Sequence, residues 1–166
     1  MENVDFVSYS VGMAIEIERK FLVKTALWKP ESAGIKYMQG YLSEDPDRTV
    51  RARIAGDKGY LTIKGKSEGA SRLEFEYAIP VDDARQLLDK LAHKPMIEKT
   101  RYLHRVGKHT WEVDVFAGDN LGLVVAEIEL LSESETFEMP KWAGLEVTDD
   151  HRYKNSTLAK HPFKSW

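Results

Sequence analysis

The chain has 166 residues, with 24 Lys and Arg against 27 Asp and Glu, and it contains no Cys. The balanced charge offers no basic surface for nucleic acid, and the lack of Cys excludes disulfides and thiolate–metal sites. With neither an apolar run long enough to span a membrane nor a signal peptide, we expect a cytoplasmic protein without nucleic-acid or membrane partners. Met13 would be a natural start, so residues 1–12 are interpreted as an N-terminal extension or a misplaced start, and residues 13–166 as one domain.

The first predicted strand covers residues 14–23. It is rich in β-branched and aromatic residues and contains neither Gly nor Pro. Glu16, Glu18 and Lys20 are spaced by two, so in a strand they share one face, while apolar side chains occupy the other. By itself this pattern also fits an edge strand with one face in water.

Seven more strand-length segments follow, separated by turn residues. One helix interrupts them, because Ala84, Leu87, Leu88 and Leu91 recur with helical spacing. A second, short helix is expected within residues 149–160. The remaining predicted strands are residues 35–43, 48–55, 60–66, 72–79, 96–106, 109–116 and 121–131, and the helix is residues 81–92.

Nearly every predicted strand carries ionisable side chains at positions i and i+2. The acidic set is Glu16, Glu18, Glu74, Glu76, Glu112, Asp114, Glu127 and Glu129, and the basic set is Lys20, Arg51, Arg53, Lys64, Lys66, Lys99 and Arg101. An open sheet could expose this charged face to water, whereas a closed barrel could enclose it as a charged tunnel, with the helix and the C-terminal tail covering the outside.

Enclosed charges of both signs need partners, because burying them unpaired is costly. Carboxylates without His or Cys suit a hard divalent ion such as Mg²⁺ or Mn²⁺. Arg and Lys clusters suit phosphate oxygens. A complex of a metal ion with a polyphosphate would pair with both the carboxylates and the cations of the tunnel.

The ordered set of paired charges resembles the CYTH superfamily, the triphosphate tunnel metalloenzymes. The resemblance is carried by Glu16-x-Glu18-x-Lys20, Arg51-x-Arg53, Lys64, Glu74-x-Glu76, Lys99-x-Arg101, Glu112-x-Asp114, Glu127-x-Glu129 and Arg152-Tyr153-Lys154. It implies a mainly β fold (α+β), a closed eight-stranded antiparallel β-barrel with a few flanking helices. It also implies a hydrolase of triphosphate substrates, most similar to the small bacterial enzymes that act on inorganic triphosphate.

The resemblance implies a role for each matching residue. Glu16, Glu18, Glu127 and Glu129 would hold Mg²⁺ or Mn²⁺, with Glu76 and Asp114 as secondary metal candidates. Arg51, Arg53, Lys64, Lys99, Arg101 and Lys154 would bind the triphosphate. Lys20 and Tyr41 would be catalytic, with Lys20 beside the attacking water. Lys20 can act as a base only if burial or neighbouring cations lower its pKa.

Several alternatives stay open at this point. A class IV-type adenylyl cyclase would use the same scaffold to form cAMP and pyrophosphate from ATP. A thiamine triphosphatase and a non-catalytic polyphosphate-binding module are further options. The sequence also leaves the oligomeric state open, with a homodimer as one option.

Overall fold

A computed structural model describes residues 15–166 of the chain, so the predicted N-terminal extension, residues 1–12, lies outside the described residues. The strands are β1 (Ile15–Val23), β2 (Ile35–Ser43), β3 (Arg48–Ala55), β4 (Lys58–Gly65), β5 (Ser71–Ile79), β6 (Ile97–Val106), β7 (His109–Phe116), β8 (Val124–Glu129) and β9 (Ala143–Glu146). The α-helices are α1 (Val81–Lys90) and α2 (Asn155–Leu158), and short 3₁₀ turns cover Gly118–Asn120, His151–Tyr153 and Phe163–Ser165.

The first eight strands form a closed antiparallel barrel. Their order is β5-β4-β3-β2-β6-β7-β8-β1, and pairing of β1 with β5 closes the ring. β1 makes this closure with its first residues, where Glu16 faces Arg72 of β5, and its last residues pair with β9 instead. The predicted closed eight-stranded barrel is therefore confirmed, and the open sheet is excluded.

Alternation along each strand decides what lies inside the barrel. Many apolar side chains point outward, where the segments that follow β1 and β8 cover them, whereas Ile97, Phe116 and Val125 share the inner faces of their strands with charged residues and form part of a second core. One outer core contains Phe21, Trp111 and Ile128, with Trp28 and Trp142 packed against it. Because this core lies outside the barrel wall, the charged residues of the same strands are left to line the interior.

Helix α1 covers another part of the barrel exterior and packs against β3 and β4. Its buried residues are Ala84 and Leu88. A Cβ atom at Gly59 of β4 would lie 2.9 Å from the Ala84 Cβ, so glycine permits this close approach.

Several predicted elements differ from the structure at their ends or in type. The helix ends at Lys90 rather than at residue 92, and β8 is shorter than the predicted 121–131 because a 3₁₀ turn precedes it. The expected helix within 149–160 is a 3₁₀ turn followed by the single-turn α2. None of the helices within residues 15–166 combines the length and apolar character needed to cross a bilayer.

Candidate active site

The barrel encloses a charged tunnel with a cavity of about 240 Å³. Its wall brings together twelve of the fourteen residues that the resemblance assigned to the site. They are Glu16, Glu18, Lys20, Tyr41, Arg51, Arg53, Lys64, Glu76, Arg101, Glu127, Glu129 and Lys154. Lys99 and Asp114 complete the set, and both are buried outside the lining of this cavity.

Glu76 anchors the two arginines of β3. Its carboxylate lies 2.8 Å from Arg53 Nη2 and 3.4 Å from Arg51 Nη2, and it accepts a hydrogen bond of 2.7 Å from the Thr62 hydroxyl. Burial and the neighbouring Arg51 lower the pKa of Arg53. Glu76 therefore orients both guanidinium groups along the tunnel wall.

Glu16 joins the first strand to β4 and β5 across the barrel closure. Lys64 Nζ lies 3.0 Å from both Glu16 oxygens, and Arg72 Nε donates to Glu16 over 2.6 Å. Lys64 also pairs with Glu74 at 2.5 Å. These contacts place two cations beside the predicted metal ligands of β1.

Asp114 holds the cations of β6. It receives two hydrogen bonds of 2.7 Å from Arg101 and a short one from Lys99. Arg101 also contacts Glu112, and reaches Glu127 at 2.9 Å. Burial and the neighbouring Arg101 lower the pKa of Lys99 to about 8. Since cations occupy both oxygens of Asp114, the chain uses this carboxylate to position Lys99 and Arg101.

Lys20 lies in the tunnel wall with Tyr41. Its Nζ is 2.8 Å from Glu127 Oε1 and donates to the Tyr153 carbonyl over 3.2 Å. Burial lowers the pKa of Lys20, but the carboxylates of Glu127 and Glu18 outweigh burial and raise it. These carboxylates also outweigh Arg72, the neighbouring cation that lowers the pKa of Lys20. Burial also raises the pKa of the Tyr41 hydroxyl.

Glu18 and Glu129 face each other across the β1–β8 ladder. Burial raises the pKa of both, and carboxylates around them raise it further: Glu127 and Glu16 for Glu18, and Glu16 and Glu112 for Glu129. Within the part of the chain that the structure describes, Glu129 has no ion pair, and Glu18 has only a distant one of 3.7 Å to Arg72. Uncompensated carboxylates that repel each other are what a divalent cation would stabilise.

Residues 15–166 contain no ready-made cluster of three or more carboxylate or His side chains that could hold a metal ion. Ion pairs with lysines and arginines spread the carboxylates along the wall instead. Among the described residues, Glu18 and Glu129 are the facing carboxylates without a close ion pair, so they fit a divalent cation best among the predicted ligands.

Arg72 is a tunnel residue to which the sequence did not assign a role. It lines the cavity, contacts Glu16 and Glu18, and repels Lys154, whose pKa burial and Arg72 together lower. Its signal was its position on the same strand face as Glu74 and Glu76. Ser67 was missed as well, and its hydroxyl accepts a hydrogen bond of 3.3 Å from Lys154 Nζ.

Comparison with known proteins agrees with this geometry. An inorganic triphosphatase of Acetivibrio thermocellus is 52% identical over 154 residues, which cover 93% of this chain and 99% of that protein. An inorganic triphosphatase of Nitrosomonas europaea is 40% identical over 148 residues, which cover 87% and 96%. A crystal structure of an inorganic triphosphatase matches with a TM-score of 0.62 and 36% identity, covering 87% of this chain and 97% of that one.

A family model described as the CYTH domain matches residues 14–161, which include the whole barrel and the tail that reaches the tunnel. The chain therefore belongs to the CYTH domain family.

Proposed function

We propose that this chain hydrolyses inorganic triphosphate to pyrophosphate and phosphate with the help of a divalent ion. The observation that carries the proposal is that one enclosed tunnel combines a set of cations with the facing carboxylates of Glu18 and Glu129, neither of which has a close ion pair among the described residues. The names and identities of the two inorganic triphosphatases support inorganic triphosphate as the substrate.

Six cations would bind the phosphate oxygens. Arg51 and Arg53 enter the cavity from β3, Lys64 from β4, Arg101 from β6, and Lys154 from the C-terminal tail, while Lys99 of β6 is buried outside the cavity lining. Each except Lys154 is held by at least one carboxylate, so the cations are oriented before substrate arrives. Such preorganisation lowers the cost of ordering side chains on binding.

Glu18 and Glu129 would hold Mg²⁺ or Mn²⁺, with Glu16 and Glu127 beside them. Glu76 and Asp114 are occupied by cations and contribute to the metal site less directly. A divalent ion in such a site neutralises phosphate charge and aligns water for in-line attack.

The chemical step forms a bond from a water oxygen to a terminal phosphorus. The bond from that phosphorus to the bridging oxygen breaks, and its electron pair leaves with pyrophosphate. Neutral Lys20 Nζ would take a proton from the water, with Tyr41 beside it. The ion pair with Glu127 keeps Nζ protonated, so this role requires Glu127 to turn away.

A class IV-type adenylyl cyclase is the runner-up, and it needs a nucleoside site that no observation here favours. Thiamine triphosphate hydrolysis and a non-catalytic polyphosphate-binding module follow it. A cytoplasmic location and a homodimer stay predictions.

The test is phosphate release by purified protein from inorganic triphosphate, ATP and thiamine triphosphate, each with Mg²⁺, Mn²⁺ or EDTA. We expect fast, EDTA-sensitive release from inorganic triphosphate and little from ATP. Formation of cAMP with equimolar pyrophosphate would instead establish the cyclase. Tight triphosphate binding without turnover under any metal would leave a binding module.

A further inference from the structure

Three of the phosphate-binding cations converge on one aromatic ring. The Tyr37 ring centroid lies 5.2 Å from Arg101 Cζ, 5.3 Å from Arg53 Cζ and 5.8 Å from Lys99 Nζ. All three distances fall within the range of cation–π attraction. Among the described residues Tyr37 and Lys99 are not in the lining of the tunnel cavity, whereas Arg53 and Arg101 are, so the ring contacts these two arginines from outside the cavity.

The sequence explains why Tyr37 occupies this position. It precedes Gln39 and Tyr41 on β2 by two and four residues, so all three share one face of the strand. In the ladder with β6, Tyr37 is the direct partner of Lys99. Gln39 is the partner of Arg53 in the ladder with β3, which brings that guanidinium alongside the ring.

At position 37, an aromatic ring can hold these cations for phosphate binding better than a further carboxylate would. Arg101 repels both other cations: burial and Arg101 lower the pKa of Lys99, and burial, Arg51 and, to a smaller extent, Arg101 lower the pKa of Arg53. A carboxylate would attract the cations but would also occupy the N–H groups that phosphate oxygens need. The negative ring face attracts cations and leaves those donors available.

Dependence on this ring differs among the three cations. Arg53 also lies 5.1 Å from the Tyr60 ring, and Lys99 lies 5.6 Å from the Phe116 ring. Arg101 has the Tyr37 ring alone among the aromatic contacts of residues 15–166. Removing the Tyr37 ring would therefore leave Arg101 without an aromatic contact and dependent on its ion pairs with Asp114, Glu112 and Glu127 alone.

We propose that Tyr37 is a positioning residue that orients Arg53, Lys99 and Arg101 toward the phosphates of the substrate. This inference rests on the proposed function, since it names a further determinant of triphosphate affinity at the same site. It requires the aromatic ring and does not require the hydroxyl.

The test compares Tyr37→Phe, which keeps the ring, with Tyr37→Leu, which removes it. Inorganic triphosphate turnover with Mg²⁺ or Mn²⁺ gives KM and kcat for each variant. We expect Tyr37→Phe to stay within about twofold of wild type and Tyr37→Leu to raise KM about tenfold, with a smaller change in kcat. Tyr102→Leu is the matched control, because Tyr102 packs against Trp28 on the outside of the barrel.

The outcomes separate this inference from the proposed function. Wild-type KM in a folded Tyr37→Leu variant, or a Tyr37→Phe variant as impaired as Tyr37→Leu, would overturn the role of the ring while leaving the hydrolase intact. A wild-type protein without triphosphate turnover would overturn both. If Tyr37→Leu does not fold, Tyr37→Met supplies the same comparison with an unbranched apolar side chain.

Discussion

At the scale of single residues, Glu18 and Glu129 are carboxylates of the tunnel wall whose negative charges are not balanced by a close cation among the described residues. The Glu129→Gln substitution removes one negative charge from this pair and should weaken apparent metal affinity at least about tenfold. The same substitution should not lower the melting temperature in EDTA, because it relieves repulsion among carboxylates that burial already disfavours. Metal titrations of turnover and thermal melts in EDTA measure the two effects.

Glu138→Gln is the control for this prediction, since Glu138 is exposed and lies away from the tunnel wall. It should change neither metal affinity nor melting temperature. Unaltered metal dependence in Glu129→Gln would remove Glu129 from the metal site.

A substitution of Lys20 can distinguish its role as a cation from its role in proton transfer. The Lys20→Arg substitution keeps a cation near Glu127 but supplies a group that does not give up its proton. We expect the melting temperature to change little and kcat to fall about 100-fold, as loss of a proton-transfer group typically causes. Single-turnover hydrolysis of inorganic triphosphate measures the effect.

Lys66→Arg provides the matched control, because Lys66 does not contribute to the cavity wall among the described residues. Its turnover should equal that of wild type. If Lys20→Arg also kept wild-type turnover, Lys20 would act only as a fixed cation that binds a phosphoryl oxygen.

At the scale of secondary-structure elements, the sequence predicted all eight barrel strands because ionisable and apolar residues alternate along nearly every one. β9 escaped prediction: Ala143–Glu146 has four residues, includes Gly144, and shows no such alternation. Its position depends on tertiary contacts, as Val147 N–H donates to the Lys20 carbonyl over 2.8 Å and Arg19 pairs with Glu146. Local sequence carries little information on such pairing.

The turn after β8 is fixed by Glu135, which gives a prediction on pH. Its carboxylate accepts hydrogen bonds from Leu131 N–H over 2.6 Å and from His109 over 3.0 Å, and it pairs with Lys108 at 2.9 Å. The Lys108 ammonium and these hydrogen bonds lower the pKa of Glu135 to about 2. Because the pKa of Glu135 is lower in the folded chain than its ordinary value of 4.5, the ionised carboxylate stabilises the fold at pH values above 4.5. This stabilisation is lost as the pH falls toward 2.

Glu135→Gln should therefore lower the urea midpoint at pH 7, and the difference from wild type should shrink as the pH falls below about 4.5. Urea unfolding at pH 7, 5 and 3 measures this trend, with Glu138→Gln as the charge-matched control. An equal difference at pH 7 and pH 3 would show that the carboxylate charge is not the cause.

At the scale of the whole molecule, barrel closure determines which charges become neighbours. The sequence identified the charged face of each strand, but the closing register of β1 with β5 is set by the complete ring. That register places Arg72 opposite Glu16, so the strand face of Arg72 was readable from its own sequence but its ion pair with Glu16 was not. Likewise, the β6–β7 register pairs Arg101 with Asp114, and that carboxylate is fully buried.

Because the barrel is closed, a polyanion bound in the tunnel would contact cations from several of its strands at once. Its cations come from β3, β4 and β6 and from the C-terminal tail, so binding should oppose unfolding of the whole ring. A ligand at 100 times its Kd stabilises a protein by about 2.7 kcal/mol. For a chain of this size, that corresponds to a rise in melting temperature of about 5 to 10 °C.

Thermal melts in EDTA at low ionic strength, with and without inorganic triphosphate, measure this rise in the absence of turnover. Sodium sulfate at matched ionic strength is the control, because it screens charge as strongly but cannot span the cations of several strands. Equal shifts with sulfate and triphosphate would show that the tunnel responds only to ionic strength. A shift specific to triphosphate would mean that the ring of cations binds the chain of phosphates as a unit, before any metal ion is bound.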